Sequence, residues 1–213
     1  MDLFGKKEVK PVLLQETGIP KKKSVILLYI LNAITFMIYG SFWYLKRVPE
    51  LNNLKTPTKM KKTLPVVNLV FIILSFLSLI VVAVIAQISN IPNGTIDINQ
   101  VPIGFTISFI LTFVFLFFSL ILFLIMGFKV RKILNEALIN KGEKVKLSGF
   151  FTFFFNFLYL QYEINRIIDD KENNKRIGPW VWFIILYLSP IISAIIIFIF
   201  VVILGYSLLA LSS

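Results

Sequence analysis

The sequence predicts an all-α integral membrane protein with three strong transmembrane helices and two shorter re-entrant or interfacial helical segments. Three observations predict it. The 213-residue chain is 57% hydrophobic, holds 22 Phe and has a mean hydropathy of +0.85, an apolar content above that of soluble domains. Residues 64–88, 102–128 and 179–211 contain no Asp, Glu, Lys or Arg, and each reaches the roughly 20 residues that cross about 30 Å of hydrocarbon. All 22 basic residues fall in four clusters outside these stretches, Lys6–Lys23, Lys46–Lys62, Lys129–Lys146 and Arg166–Arg176.

Residues 1–23 are polar and rich in lysine. They lack the early apolar core of a cleavable signal peptide and read as a basic cytoplasmic segment, followed by one membrane domain over residues 24–211. The first element of that domain, residues 24–45, is long enough to span. Its end, "ITFMIYGSFWYLKR" (residues 34–47), places Gly40 among aromatics and closes on two cations. Gly40 eases a backbone break. Trp43 and Tyr44 read as interface anchors at the headgroup level, with Lys46 and Arg47 beside the phosphates. The same residues also suit the end of a simple span.

Charge placement separates the alternatives. The loop 89–101 carries no basic residue and is the outside loop by the positive-inside rule. Within it, Asn93-Gly94-Thr95 matches a glycosylation acceptor, although a plain Asn-Gly turn accounts for it. Five full spans would leave ten basic residues outside and twelve inside, and four spans six and sixteen; three spans with two non-crossing segments put all 22 inside. The second non-crossing candidate, residues 149–165, opens with "GFFTFFFNFLYLQY". Its roughly 21 Å of helix, interrupted by Asn156 and Gln161, is short for a crossing. Four or five full spans remain the alternative fold.

In the span 64–88, Asn68, Ser75 and Ser78 share a helical face, and in the span 102–128 so do Ser108, Thr112 and Ser119. Small polar residues at this spacing mark helix contacts, so the two stripes are expected to face each other. A polar conduction path is the sharper reading, but neither stripe holds an ionisable group. The last segment, 179–211, is about 50 Å long as straight helix. A kink at Pro190 would shorten it. Pro179 suits a helix start, with Trp180 and Trp182 as interface anchors.

Sliding the chain by 120 residues brings Ile38-Tyr39 onto Leu158-Tyr159, Phe42 onto Tyr162 and Lys46 onto Arg166. Shared descent and shared composition both account for the match. At Thr35, Ile38, Tyr39, Gly40, Phe42 and Trp43 the chain resembles the opening motif of the family catalogued as domain of unknown function 4234, small multi-pass membrane proteins of prokaryotes. The run "YLQYEIN", with Gln161 and Asn165, resembles that family's second element. The resemblance covers roughly residues 22–170 and departs from the pattern at Met37, where the family usually has glycine. It implies an architecture and no activity.

The chain has neither Cys nor His, which removes the thiol nucleophile, the commonest general base and the main zinc ligands. Asp169 and Asp170 beside lysines read as solvated surface rather than a metal site, and Glu163 as an interfacial carboxylate near Arg166. No cofactor is expected. The net charge of +11 is carried mainly by lysine, which suits anionic lipid headgroups better than nucleic acid. The expected function is a non-enzymatic scaffold or accessory subunit of the cell membrane, with the bilayer and a partner membrane protein or second copy as its partners. A small transporter or channel is the competing class.

Overall fold

The computed structural model describes residues 20–88, 102–169, 171, 175 and 177–188. These residues form helices and turns with no strand among them. The chain divides into two units, Met1–Glu172 and Asn173–Ser213.

In the first unit, α1 (Val25–Ile34) starts where the Ser24 hydroxyl accepts from Leu27 N at 3.3 Å. Ten residues give about 15 Å of helix, half a hydrocarbon core. The chain then leaves the helix through Phe36 (φ 46°) and Met37 (φ 70°), a left-handed conformation that costs a non-glycine residue roughly 1–2 kcal/mol. Local side chains hold the turn. Thr35 Oγ1 donates to Leu31 O at 2.7 Å and accepts from Tyr39 N at 3.0 Å, while Asn32 Oδ1 accepts from Gly40 N at 3.1 Å. These bonds satisfy amides that the first turn of a helix leaves open, and α2 (Ile38–Asn53) runs from there.

The break thus lies at Phe36–Met37 and not at Gly40. Gly40 is helical, and its missing side chain serves packing: a Cβ there would lie 2.8 Å from the Phe123 ring and 3.2 Å from Asn32 Oδ1. The residues flanking the segment return to each other, with Arg47 Nη2 donating to the Lys21 carbonyl. Residues 24–45 therefore belong to a helical hairpin and not to one straight helix.

Helices α3 (Thr63–Ile88) and α4 (Ile103–Asn140) are long and apolar enough to cross a membrane. They pack antiparallel, because Asn68 meets Ser119 while Ser78 meets Ser108 and Thr112. Helix α4 runs twelve residues beyond the expected end at Phe128, through the third basic cluster. Its far half buries Val130, Ile133, Leu134 and Leu138, an apolar stripe at helical spacing. The connection from α2 is pinned to this half: Glu136 accepts from Thr58 N (3.0 Å) and Oγ1 (2.5 Å), and Asn140 Nδ2 donates to Lys55 O (2.7 Å).

A second hairpin follows. Ser148 caps α5 (Gly149–Phe155), Asn156 breaks it at φ 45° and ψ −122°, and α6 (Phe157–Ile168) returns. Neither α5 nor α6 has the length to cross a bilayer. The two breaks, at Phe36 and Asn156, are 120 residues apart, the offset at which the sequence aligns with itself.

In the second unit, α7 (Ile177–Phe183) runs into a π-helical turn, Ile184–Leu188. Trp180 and Trp182 are exposed there and Pro179 is buried. The expected kink at Pro190 and the rest of the 179–211 segment lie outside the described residues, among which two helices, α3 and α4, are long and apolar enough to span.

Two substitutions separate strain from packing in the first hairpin. Gly40→Ala should lower stability by about 1–3 kcal/mol through the Phe123 contact. Met37→Gly should be neutral or stabilising by up to about 1 kcal/mol, since it relieves the left-handed residue. Thermal unfolding of the purified variants in detergent reads both.

Candidate functional site: a buried polar junction between the hairpins

Burial in the first unit concentrates where α2, α4 and α6 meet. Trp43, Tyr44, Leu51, Met126, Val130, Ile133 and Leu160 are fully buried there. Within this apolar core lies a connected set of polar groups, and low dielectric makes each bond, or each missing one, count more than at a surface.

Gln161 on α6 is the hub. Its Oε1 accepts from Trp43 Nε1 at 2.9 Å and from Arg47 Nη2 at 2.7 Å, and its Nε2 donates to Asn165 Oδ1 at 2.7 Å. Asn165 Nδ2 in turn donates to Lys23 O at 2.6 Å, while its Oδ1 accepts from Lys23 N at 3.2 Å. The amides of Gln161 and Asn165 therefore join α6 to α2 and to the residues that lead into α1. Outside this core Lys22 pairs with Asp169 at 2.9 Å. That hydrogen bond holds the Asp169 carboxyl below its ordinary range. Burial, followed by the charges of Arg47 and Lys46, pulls the Lys23 ammonium down from its ordinary value.

Arg47 is completely buried, an arrangement stable only with partners in place. It donates to Glu50, to the Lys21 carbonyl and to Gln161, and its guanidinium lies 5.8 Å from the Trp43 ring. Among the described residues, none accepts a hydrogen bond from Arg47 Nε. Trp43 and Tyr44 thus sit inside the protein against other side chains and do not present their rings to lipid, which corrects their reading as lipid-facing interface anchors. The reason is tertiary: α6, more than a hundred residues away, supplies the polar groups that Trp43 and Arg47 need.

A second knot lies next to the first. The Tyr44 hydroxyl donates to Asn156 Oδ1, and Asn156 Nδ2 donates to Phe123 O at 3.0 Å. The amide that breaks α5 thereby ties both hairpins to α4. Gly127 makes room for it, since a Cβ there would lie 2.7 Å from Asn156 Nδ2. Toward the helical hairpin α3–α4, Asn68 Nδ2 donates to Ser41 Oγ at 2.7 Å and Ser119 Oγ to Asn68 Oδ1 at 3.1 Å.

Of the residues singled out in the sequence, Trp43, Gln161 and Asn165 are brought together. Thr35 and Gly40 build the turn and its packing, and Phe42 is exposed. The stripe residues pair across α3 and α4, with Ser78 Oγ donating to Ser108 O at 2.5 Å and Thr112 Oγ1 to Ser78 Oγ at 3.0 Å; Ser75 instead bonds its own helix at Ile72 O. Glu163 is buried, 3.8 Å from Arg166 Nε. Asp170 lies outside the described residues. Asn32, Ser41, Arg47 and Asn156 were not singled out as site residues. Their signal was an amide, hydroxyl or cation in or beside an apolar run, which must find a partner once buried. Among the described residues, no cluster of three or more Asp or Glu forms a metal site.

No family model matches the chain, and neither a curated protein nor a solved structure does. The weight of the junction is measurable on its own geometry. Gln161→Leu leaves the Trp43 and Arg47 donors buried without their acceptor, and the expected loss of stability is roughly 3 kcal/mol. Thermal unfolding in detergent checks it.

Proposed function

We propose that the protein is a multi-pass scaffold or accessory subunit of the cell membrane, without an enzymatic step of its own. In this reading α3, α4 and the 179–211 segment cross the bilayer. The α1–α2 and α5–α6 hairpins re-enter from the cytoplasmic side, where the basic end contacts anionic headgroups. One observation carries it: both hairpins return to the end of the first unit that holds its described basic residues, through Arg47 to Lys21 and Lys22 to Asp169. Exposed apolar side chains along α3 and α4, such as Ile80, Ile110 and Phe117, favour a lipid surround.

The resemblance to the domain of unknown function 4234 family belongs to the proposal. Two details support it: the two motif elements meet at Trp43 and Gln161, and Met37, where that family usually has glycine, has φ 70°. The pairing of Asn68 with Ser41 and Ser119 favours helix contact over a conduction path, since these groups satisfy one another.

Each lysine near an anionic surface contributes about 1 kcal/mol. The purified protein should therefore retain anionic over zwitterionic lipid, with retention falling as salt rises. Retention indifferent to both headgroup charge and salt would remove the lipid part of the proposal.

A further inference from the structure

We infer that the first unit is a one-leaflet wedge that favours membrane bulging outward on the side of its basic end; this rests on the membrane reading above. The depth of each hairpin is set by its contacts. The tip of the α1–α2 hairpin reaches Phe76, with the Phe36 and Phe76 rings 5.9 Å apart. Phe76 lies about 20 Å along α3 from Thr63, and α3 continues roughly 18 Å further. The α5–α6 hairpin is shallower, with Asn156 bonded to Phe123 O, and α4 continues about 30 Å from there to Ile103.

Nearer the basic end, the unit's cross-section holds both hairpins as well as α3 and α4. Beyond Phe76 only α3 and α4 go on among its described elements. The added helices turn apolar side chains outward: Ile26, Leu27 and Ile34 on α1 and Phe153 on α5 are each more than half exposed. Their fitting partner is the acyl-chain layer of one leaflet. Half-depth insertion displaces lipid from that leaflet and not from the other, which relaxes best when the leaflet is convex. A further full span adds equally to both leaflets and leaves the difference in place.

The test uses the full chain. The protein is reconstituted in giant vesicles in each orientation, assigned by reaction of Lys141→Cys with an impermeant maleimide, and thin tubes are drawn from them. With the basic end outward, its density on the tube relative to the parent vesicle should rise roughly two-fold or more. With the basic end inward it should fall below the parent density. Equal density in both orientations, or enrichment with the basic end inward, would overturn the wedge. A carbonate wash of the same vesicles distinguishes the two failures: protein held through the wash with no curvature preference overturns the wedge alone, whereas protein washed off overturns the membrane reading beneath it.

Discussion

The burial of Arg47 is the constraint on which the rest of the first unit depends. A guanidinium removed from water costs several kcal/mol unless its donors are met, and its partners come from three separate places in the chain. Glu50 is one turn along α2, the Lys21 carbonyl precedes α1, and Gln161 sits on α6. Meeting them forces the residues on either side of the α1–α2 segment to the same end and docks the second hairpin against the first. The turn at Phe36–Met37 is therefore held from both sides. Local bonds from Thr35 and Asn32 shape it, and the junction around Arg47 keeps the two arms from separating.

The two hairpins reach the same layout by different chemistry. In the first, three residues turn the chain, and the side chains of Thr35 and Asn32 cap the helix that follows. In the second, Asn156 is both the residue of positive φ and the anchor, since its amide binds Tyr44 and the Phe123 carbonyl. Asparagine adopts positive φ more often than most non-glycine residues, and its two polar ends need partners once buried. The close approach of Asn156 to Gly127, like that of Phe123 to Gly40, places glycine in a helix where a neighbour must come near. A helical glycine costs about 1 kcal/mol against alanine in propensity, and here the contacts that it permits offset that cost.

Much of this was legible in the sequence. The uninterrupted apolar runs located α3 to within a residue of its start, and the basic clusters required both short segments to turn back if all cations were to share one side. The site of the first turn was not legible, because Gly40 is the residue whose backbone is freest, while the break depends on side-chain bonds that span four to eight residues. Trp43 and Tyr44 beside two cations fit a headgroup anchor equally well until Gln161 and Asn156 are placed against them. Local sequence carries no mark of a partner more than a hundred residues distant. The length of α4 was hidden for a related reason. Its far half alternates Lys129, Arg131 and Lys132 with buried Val130, Ile133 and Leu134, so the charges that end the apolar run do not end the helix.

The chain contains no cysteine, so a single engineered thiol reports the side on which the amino-terminal segment lies. Lys7→Cys, probed in intact cells with a membrane-impermeant maleimide, is compared with Lys141→Cys at the basic end and Thr95→Cys in the loop between α3 and α4. The account predicts that Lys7→Cys and Lys141→Cys stay unlabelled until the cells are lysed, while Thr95→Cys labels at once. Labelling of Lys7→Cys as readily as Thr95→Cys would place the two arms of the first hairpin on opposite sides of the membrane and contradict the return that Arg47 enforces.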